Sequence, residues 1–263
     1  MDEYERIANL LESGKISLAE AETLIGALDE GPHSEETAQY ATPGGLRVRL
    51  RRADVEIVCA EDASEPQLDE GSSKELKLSR GEEGWLLRDS HESSGLAALL
   101  QILKSAPRRK ALLRVPKGTD VRIELGQGKL TTRGLLGTLR AELGQGEARL
   151  QSLAEVYLEL GQGSVEVAES EAARIEVGQG SVRARLRIKN GRHRVESGMG
   201  AISVEVLPHS DVRIDAHSGM GKVRVLGASS TGAETSPAGL RVGEGKGLLT
   251  LESGMGDIEV KLT

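Results

Sequence analysis

The sequence predicts a mainly β chain: a β-solenoid of stacked parallel-strand coils, 17–21 residues each, behind a small N-terminal α-helical hairpin. Three observations predict it. A Gly-x-Gly element recurs seven times, as GQG at 126, 144, 161 and 178 and as GMG at 198, 219 and 254, with spacings of 18, 17, 17, 20, 21 and 35. Apolar and polar residues alternate on both sides of each element, the period of a half-buried strand. The 263-residue chain has 33 Gly, no Phe and 2% aromatics, so its core must be thin layers of Leu, Val, Ile and Ala.

The chain begins with a helical pattern. Ile7, Leu10 and Leu11 form an apolar stripe that Ser13-Gly14 ends. Ser17 and Glu20 have capping-box spacing ahead of a second stripe, Ala21, Leu24, Ile25 and Leu28, closed by Gly31-Pro32. Residues 1–31 are therefore assigned to a hairpin, 32–43 to a polar linker and 44–263 to the β domain. A unit of about thirty residues seldom holds a core alone. The hairpin is expected to dock on the β domain, on a second copy or on another protein, as a cap, a dimerisation element or a recognition module.

The glycine pairs predict corners. Leu160 and Val165 are both apolar yet five residues apart, as are Val177 and Val182. One straight strand would place such residues on opposite faces. Gly126, Gly128, Gly144, Gly146, Gly161, Gly163, Gly178, Gly180, Gly198, Gly200, Gly219, Gly221, Gly254 and Gly256 are thus read as structural corners, where glycine supplies backbone angles closed to other residues. A phosphate loop is a single strand-to-helix feature. The fragment HSGMGK at 217–222 has Ala216 where the first loop glycine belongs, and Val223 follows Lys222 in place of Ser or Thr.

Stacking aligns equivalent positions into ladders. Gln127, Gln145, Gln162 and Gln179 form an amide ladder that Met199, Met220 and Met255 continue. The methionines are either soft filler at a corner whose preceding residue has changed to Ser, or an adaptable apolar stripe for a partner. A Glu column at 124, 142, 159, 176, 196 and 252 is offset by Arg122, Arg140, Arg174 and Arg194 two residues earlier, a charge-balanced outer face.

With the repeat in view, LLRVPKGTDVRIELGQGKLTTRGLLG (112–137), LTLESGMGDIEVKL (249–262) and LRVRLRRADVEIVCAEDASEPQL (46–68) resemble the bacterial putative-adhesin β-strand-repeat family, a domain of unknown function, over residues 44–263. The stretch IANLLESGKISLAEAETLIGAL is similar to the SHOCT-like hairpin that precedes this domain in some bacterial envelope-stress proteins. The resemblance implies a β-solenoid and carries over no catalytic residue.

Residues 93–110 interrupt the strand rhythm. Leu96, Leu99, Leu100, Ile102 and Leu103 suit a short helix with a basic end at Lys104, Arg108, Arg109 and Lys110. It is either an insert covering the solenoid or a contact for an anionic membrane.

Composition narrows the function. A net charge of −7, with ten acids and two bases within residues 1–40, gives no basic field for nucleic acid. Trp85, Tyr4, Tyr40 and Tyr157 are too few for base stacking. One cysteine, Cys59, allows no internal disulfide. The acidic start and the lack of a long apolar run point to the cytoplasm, including the inner face of the membrane. The histidines, His33, His91, His193, His209 and His217, have no metal-ligand spacing. No catalytic residue, cofactor, metal or small-molecule substrate is expected. The sequence points to a non-enzymatic scaffold or interaction protein of the cell envelope, with a self-assembling filament protein and a carbohydrate-active β-helix enzyme as alternatives.

Overall fold

The computed structural model describes residues 10, 13, 15–17, 20, 45–82, 84–89, 108–134, 136–227, 234–236 and 239–263. These residues are mainly β. Fifteen strands join in one sheet network, most of it parallel. The N-terminal strands are β1 (Leu46–Cys59), β2 (Gln67–Leu68), β3 (Leu76–Gly81), β4 (Gly84–Asp89) and β5 (Arg109–Val115). The middle of the chain is β6 (Val121–Arg133), the 51-residue β7 (Leu136–Leu186), β8 (Arg192–Met199) and β9 (Ile202–Val206). The last strands are β10 (Val212–Met220), β11 (Val223–Leu226), β12 (Glu234–Ser236), β13 (Gly239–Val242), β14 (Gly247–Met255) and β15 (Ile258–Leu262).

Equivalent positions lie side by side. Gln127 is in register with Gln145, Gln179 with Met199, and Glu176 with Glu196. Leu160 and Val165 are both buried, as are Val177 and Val182, so the chain changes the face it turns inward across each glycine pair. Beyond it, Val167, Ser170 and Ala173 are buried at three-residue intervals, with Glu169 at φ 62° between them. The buried side chains of these strands form one aliphatic core, mostly Leu, Val, Ile and Ala.

The second glycine of each pair is the tightest point. Gly128, Gly146, Gly163, Gly180, Gly200 and Gly256 have φ between 142° and 152°. A Cβ on Gly163 would lie 1.7 Å from the carbonyl oxygen of Gly146, and one on Gly180 1.6 Å from that of Gly163. The space a side chain needs is filled by the backbone of the neighbouring pass. A first-glycine Cβ meets the same obstacle less severely, as at Gly161, 2.6 Å from the Gly144 oxygen.

The order of passes departs from the chain order at the C-terminal end. Met199 is in register with Met255, and Met255 with Met220. The pass β14–β15 thus sits between β8–β9 and β10–β11. Among the described residues, the 35-residue gap before the last element holds β11 and the antiparallel pair β12–β13. Antiparallel pairs close both ends of the sheet path, β3–β4 at one and β12–β13 at the other, a way of covering sheet edges.

The expected hairpin at 1–31 and the insert at 93–110 fall largely outside the described residues. Within the hairpin Leu10 and Glu20 are helical. The Ser17 amide and hydroxyl each donate to the Glu20 carboxylate at 2.8 Å, and the Glu20 amide donates back to the Ser17 hydroxyl at 3.4 Å. Arg109 and Lys110, at the end of the expected insert, open strand β5.

Gly163→Ala is expected to cost more than about 3 kcal/mol, combining an unfavourable φ with a backbone collision. Gly118, at φ 78° with nothing within 4 Å of an added Cβ, carries the φ penalty alone. Gly118→Ala should therefore cost about 1–2 kcal/mol. Urea unfolding of the two variants checks this order.

Candidate functional site

The outer surface along the glycine pairs is built by the corner itself. Because both glycines are pressed against the neighbouring backbone, only the residue between them projects. Gln145, Gln162 and Gln179 are exposed there, and with Gly144, Gly161, Gly178, Gly198 and Met199 they line a shallow groove of about 460 Å³. Met199, Met255 and Met220 continue the row toward the C-terminal end, all exposed, Met220 to 68%.

Sequence reasoning missed how the GMG corners are held. The residue before each is Ser197, Ser253 or Ser218, and each hydroxyl donates to the carbonyl of a second glycine in an adjoining pass. The distances are 3.3 Å from Ser197 to Gly180, 3.1 Å from Ser253 to Gly200 and 2.8 Å from Ser218 to Gly256. In the GQG corners that position is Leu or Val and packs in the core. The change from Leu to Ser and from Gln to Met is one coupled change of corner type. Its signal was the joint appearance of Ser and Met.

The ladder also begins one step earlier than the glycine pattern indicates. Arg52 is in register with Gln127, and Arg51-Arg52-Ala53 occupies the corner position. Strand β4 pairs with residues 46–49 of β1, and β5 with residues 53–59. Among the described residues no strand is paired with β1 between residues 49 and 53 on the far side of the corner, while Ala53, at the second-glycine position, is in register with Arg109 of β5.

The charged columns pair locally. Arg122 lies 3.4 Å from Glu124 and 3.3 Å from Glu142, and Arg174 lies 3.1 Å from Glu176. Arg194 contacts Glu196 and reaches Glu252 at 3.3 Å. Arg140 instead stacks 4.4 Å from the centre of the Tyr157 ring. Beside them, the Lys129 ammonium hydrogen-bonded to Glu147 holds that carboxyl below its ordinary range. Such exposed pairs add little individually. Their effect is to cancel the repulsion of stacked like charges.

Other candidates take structural roles. His217 is in register with Glu252, and Glu252 with Glu196, so β14 separates His217 from Glu196. Lys222 leads into strand β11 rather than a helix, and its amide donates to Asp257 at 2.9 Å. Burial pushes the Cys59 thiol up, away from a reactive thiolate. Of the basic run, Arg108 lies 3.7 Å from Asp54 and Arg109 lies 2.6 Å from Asp89. Arg114 follows at 3.1 Å from Asp62. Leu99, Leu100, Leu103 and Lys104 fall outside the described residues.

Residues 2–33 match the SHOCT-like domain family. A comparison with curated proteins returns no match. Among solved structures, a "putative cell adhesion protein" from Clostridium sporogenes aligns with 84% of this chain and 94% of its own, at 17% identity and a TM-score of 0.36. A "putative adhesin" from Bacteroides fragilis aligns with 85% of this chain and 94% of its own, at 13% identity and a TM-score of 0.27. Likeness at that level carries no argument about this chain.

His193 is buried inside the stack. The Ala173 amide donates to its Nδ1 at 3.3 Å, so its Nε2 bears the proton that faces the Asn190 carbonyl at 2.9 Å. Burial lowers its pKa below the ordinary histidine value, against a smaller opposing effect of the Asn190 contact. The folded state therefore resists protonation that the unfolded chain accepts. The stabilisation is complete above the unfolded-state pKa of about 6.5 and is lost as pH falls below it. Thermal melts between neutral and mildly acidic pH should show a falling melting temperature that flattens in His193→Gln.

Proposed function

We propose that the β portion is a solenoid that works as a non-enzymatic interaction scaffold, related to the adhesin-type strand-repeat proteins and acting at the cytoplasmic face of the cell envelope. The observation that carries this reading is the continuous outer row of the stack, Gln145-Gln162-Gln179 running into Met199-Met255-Met220. A regular row of amides followed by flexible thioethers suits an adaptable protein contact. A cleft that orients a small substrate is a different object: concave and lined by a few convergent polar groups.

The charge arrangement supports the same reading. Acid–base hydrolysis of a glycoside needs two carboxylates facing one bond. Two concavities among the described residues, one lined by Gly144–Met199 positions and one by Val206, Leu207, His209, Ser210 and Val242 with their neighbours, carry no Asp or Glu side chain in their linings. At the basic end of residues 93–110, Arg108 and Arg109 face Asp54 and Asp89. A protein partner is the better match.

A photo-crosslinking amino acid at Met199, introduced in cells, is expected to capture one predominant protein. The same group at the exposed Gln151, outside the Gln–Met row, should not. Equal labelling from both positions, or none from Met199, contradicts the scaffold reading.

A further inference from the structure

The exposed apolar side chains are not scattered. Of eight large ones among the described residues, six lie on the last three passes of the stack: Met199, Met255, Met220, Val223, Val225 and Leu226. They are joined through the pass β10–β11, the outermost of the parallel set. Among the described residues, the antiparallel strand β13 pairs with that pass at Val212–Ile214 alone. Strand β11 pairs with β15 on one side, and all four of its residues are exposed, Val225 to 40%.

Val223 and Val225 are in register with the buried Ile258 and Val260, so they continue the interior columns to an uncovered end. Natural edge strands are usually guarded by proline, bulges or inward charges. The stretch AHSGMGKVRVLG (216–227) has no proline and no acid; its charges are Lys222 and Arg224, the latter 3.7 Å from Asp257.

We propose that this open end is the docking site for the N-terminal segment, residues 2–33, of a second copy of the chain. That segment is its chemical complement. It carries eight acids against two bases, and an apolar stripe formed by Ile7, Leu10, Leu11, Leu24, Ile25 and Leu28. It is too short to bury that stripe in a core of its own. Leu10, the stripe residue among those described, is 36% exposed within its own chain.

Geometry favours a second copy over the same chain. The segment joins the stack at β1, and β10–β11 is the eighth pass in stack order. At ~4.8 Å per step the two ends lie roughly 34 Å apart. Linker residues 34–44 span at most about 36–40 Å when fully extended. Docking in the same chain thus requires a taut linker, whereas a neighbour's end imposes no such constraint. The contact is heterologous, so its repetition builds open chains or rings. The inference deepens the scaffold reading and rests on it only in treating the stack as a binding surface.

The test uses full-length chains in a Cys59→Ser background, one carrying Leu10→Cys and the other Met220→Cys. Mixed under mild oxidation, they should form a disulfide-linked heterodimer at roughly tenfold the yield of either homodimer. Val225→Lys, with an unchanged melting temperature, should weaken self-association measured by sedimentation by roughly tenfold or more. Three results overturn the proposal: no heterodimer, a dominant Met220→Cys homodimer showing that two ends meet, or an intrachain disulfide in the double variant at high dilution. Each leaves the crosslinking test at Met199 unaffected, so the two readings fail separately.

Discussion

The structure depends on one close contact: the carbonyl oxygen of one pass fills the place where the next pass would carry a Cβ. At Gly146, Gly163, Gly180 and Gly200 that oxygen stands 1.6–1.7 Å from the hypothetical carbon. Nothing but glycine fits, and the φ of 142–150° at these positions reinforces the exclusion. The contact fixes register as well as spacing. Sliding one pass by a residue would bring a Gln, Met, Glu, Ser or Ala side chain into the gap and turn the aliphatic set outward.

Given that register, the rest follows as columns. Aliphatic residues meet aliphatic residues inside, without the large rings that ordinary cores use, because each layer is only one strand thick and needs no long side chain to reach its neighbour. Outside, Glu stacks on Glu and Arg on Arg, and each row makes the other tolerable. Toward the C-terminal end the corner is held differently. Serine hydroxyls bond to the neighbouring glycine carbonyls, and methionines replace the glutamine amides on the outside. The stack thereby has a polar body and an apolar end. That polarity makes it suitable for directional association.

Much of this was legible in the sequence because the decisive signals are local and repeated. The five-residue step from Leu160 to Val165 revealed the change of face, and the seven glycine pairs revealed the columns. What stayed hidden was non-local. The placement of β14 between β8 and β10 depends on where the connection after β11 returns, and no residue near Met220 or Met255 encodes it. The opening pass escaped notice because it carries Arg51-Arg52-Ala53 where the later passes carry Gly-x-Gly, so the repeat pattern does not extend to it. The two antiparallel end pairs, β3–β4 and β12–β13, lack the repeat altogether. They occur once each and must differ from the body to terminate it.

The most direct measurement is a pair of spin-label distances from Arg52, the first rung of the ladder, to Met255 and to Met220. The order described here puts Met255 six steps away and Met220 seven. At ~4.8 Å per step these correspond to about 29 and 34 Å. The account predicts that the Met255 distance is the shorter by about one step. A shorter distance to Met220 would mean that the passes stack in chain order, and distances far from both values would contradict the in-register stack itself.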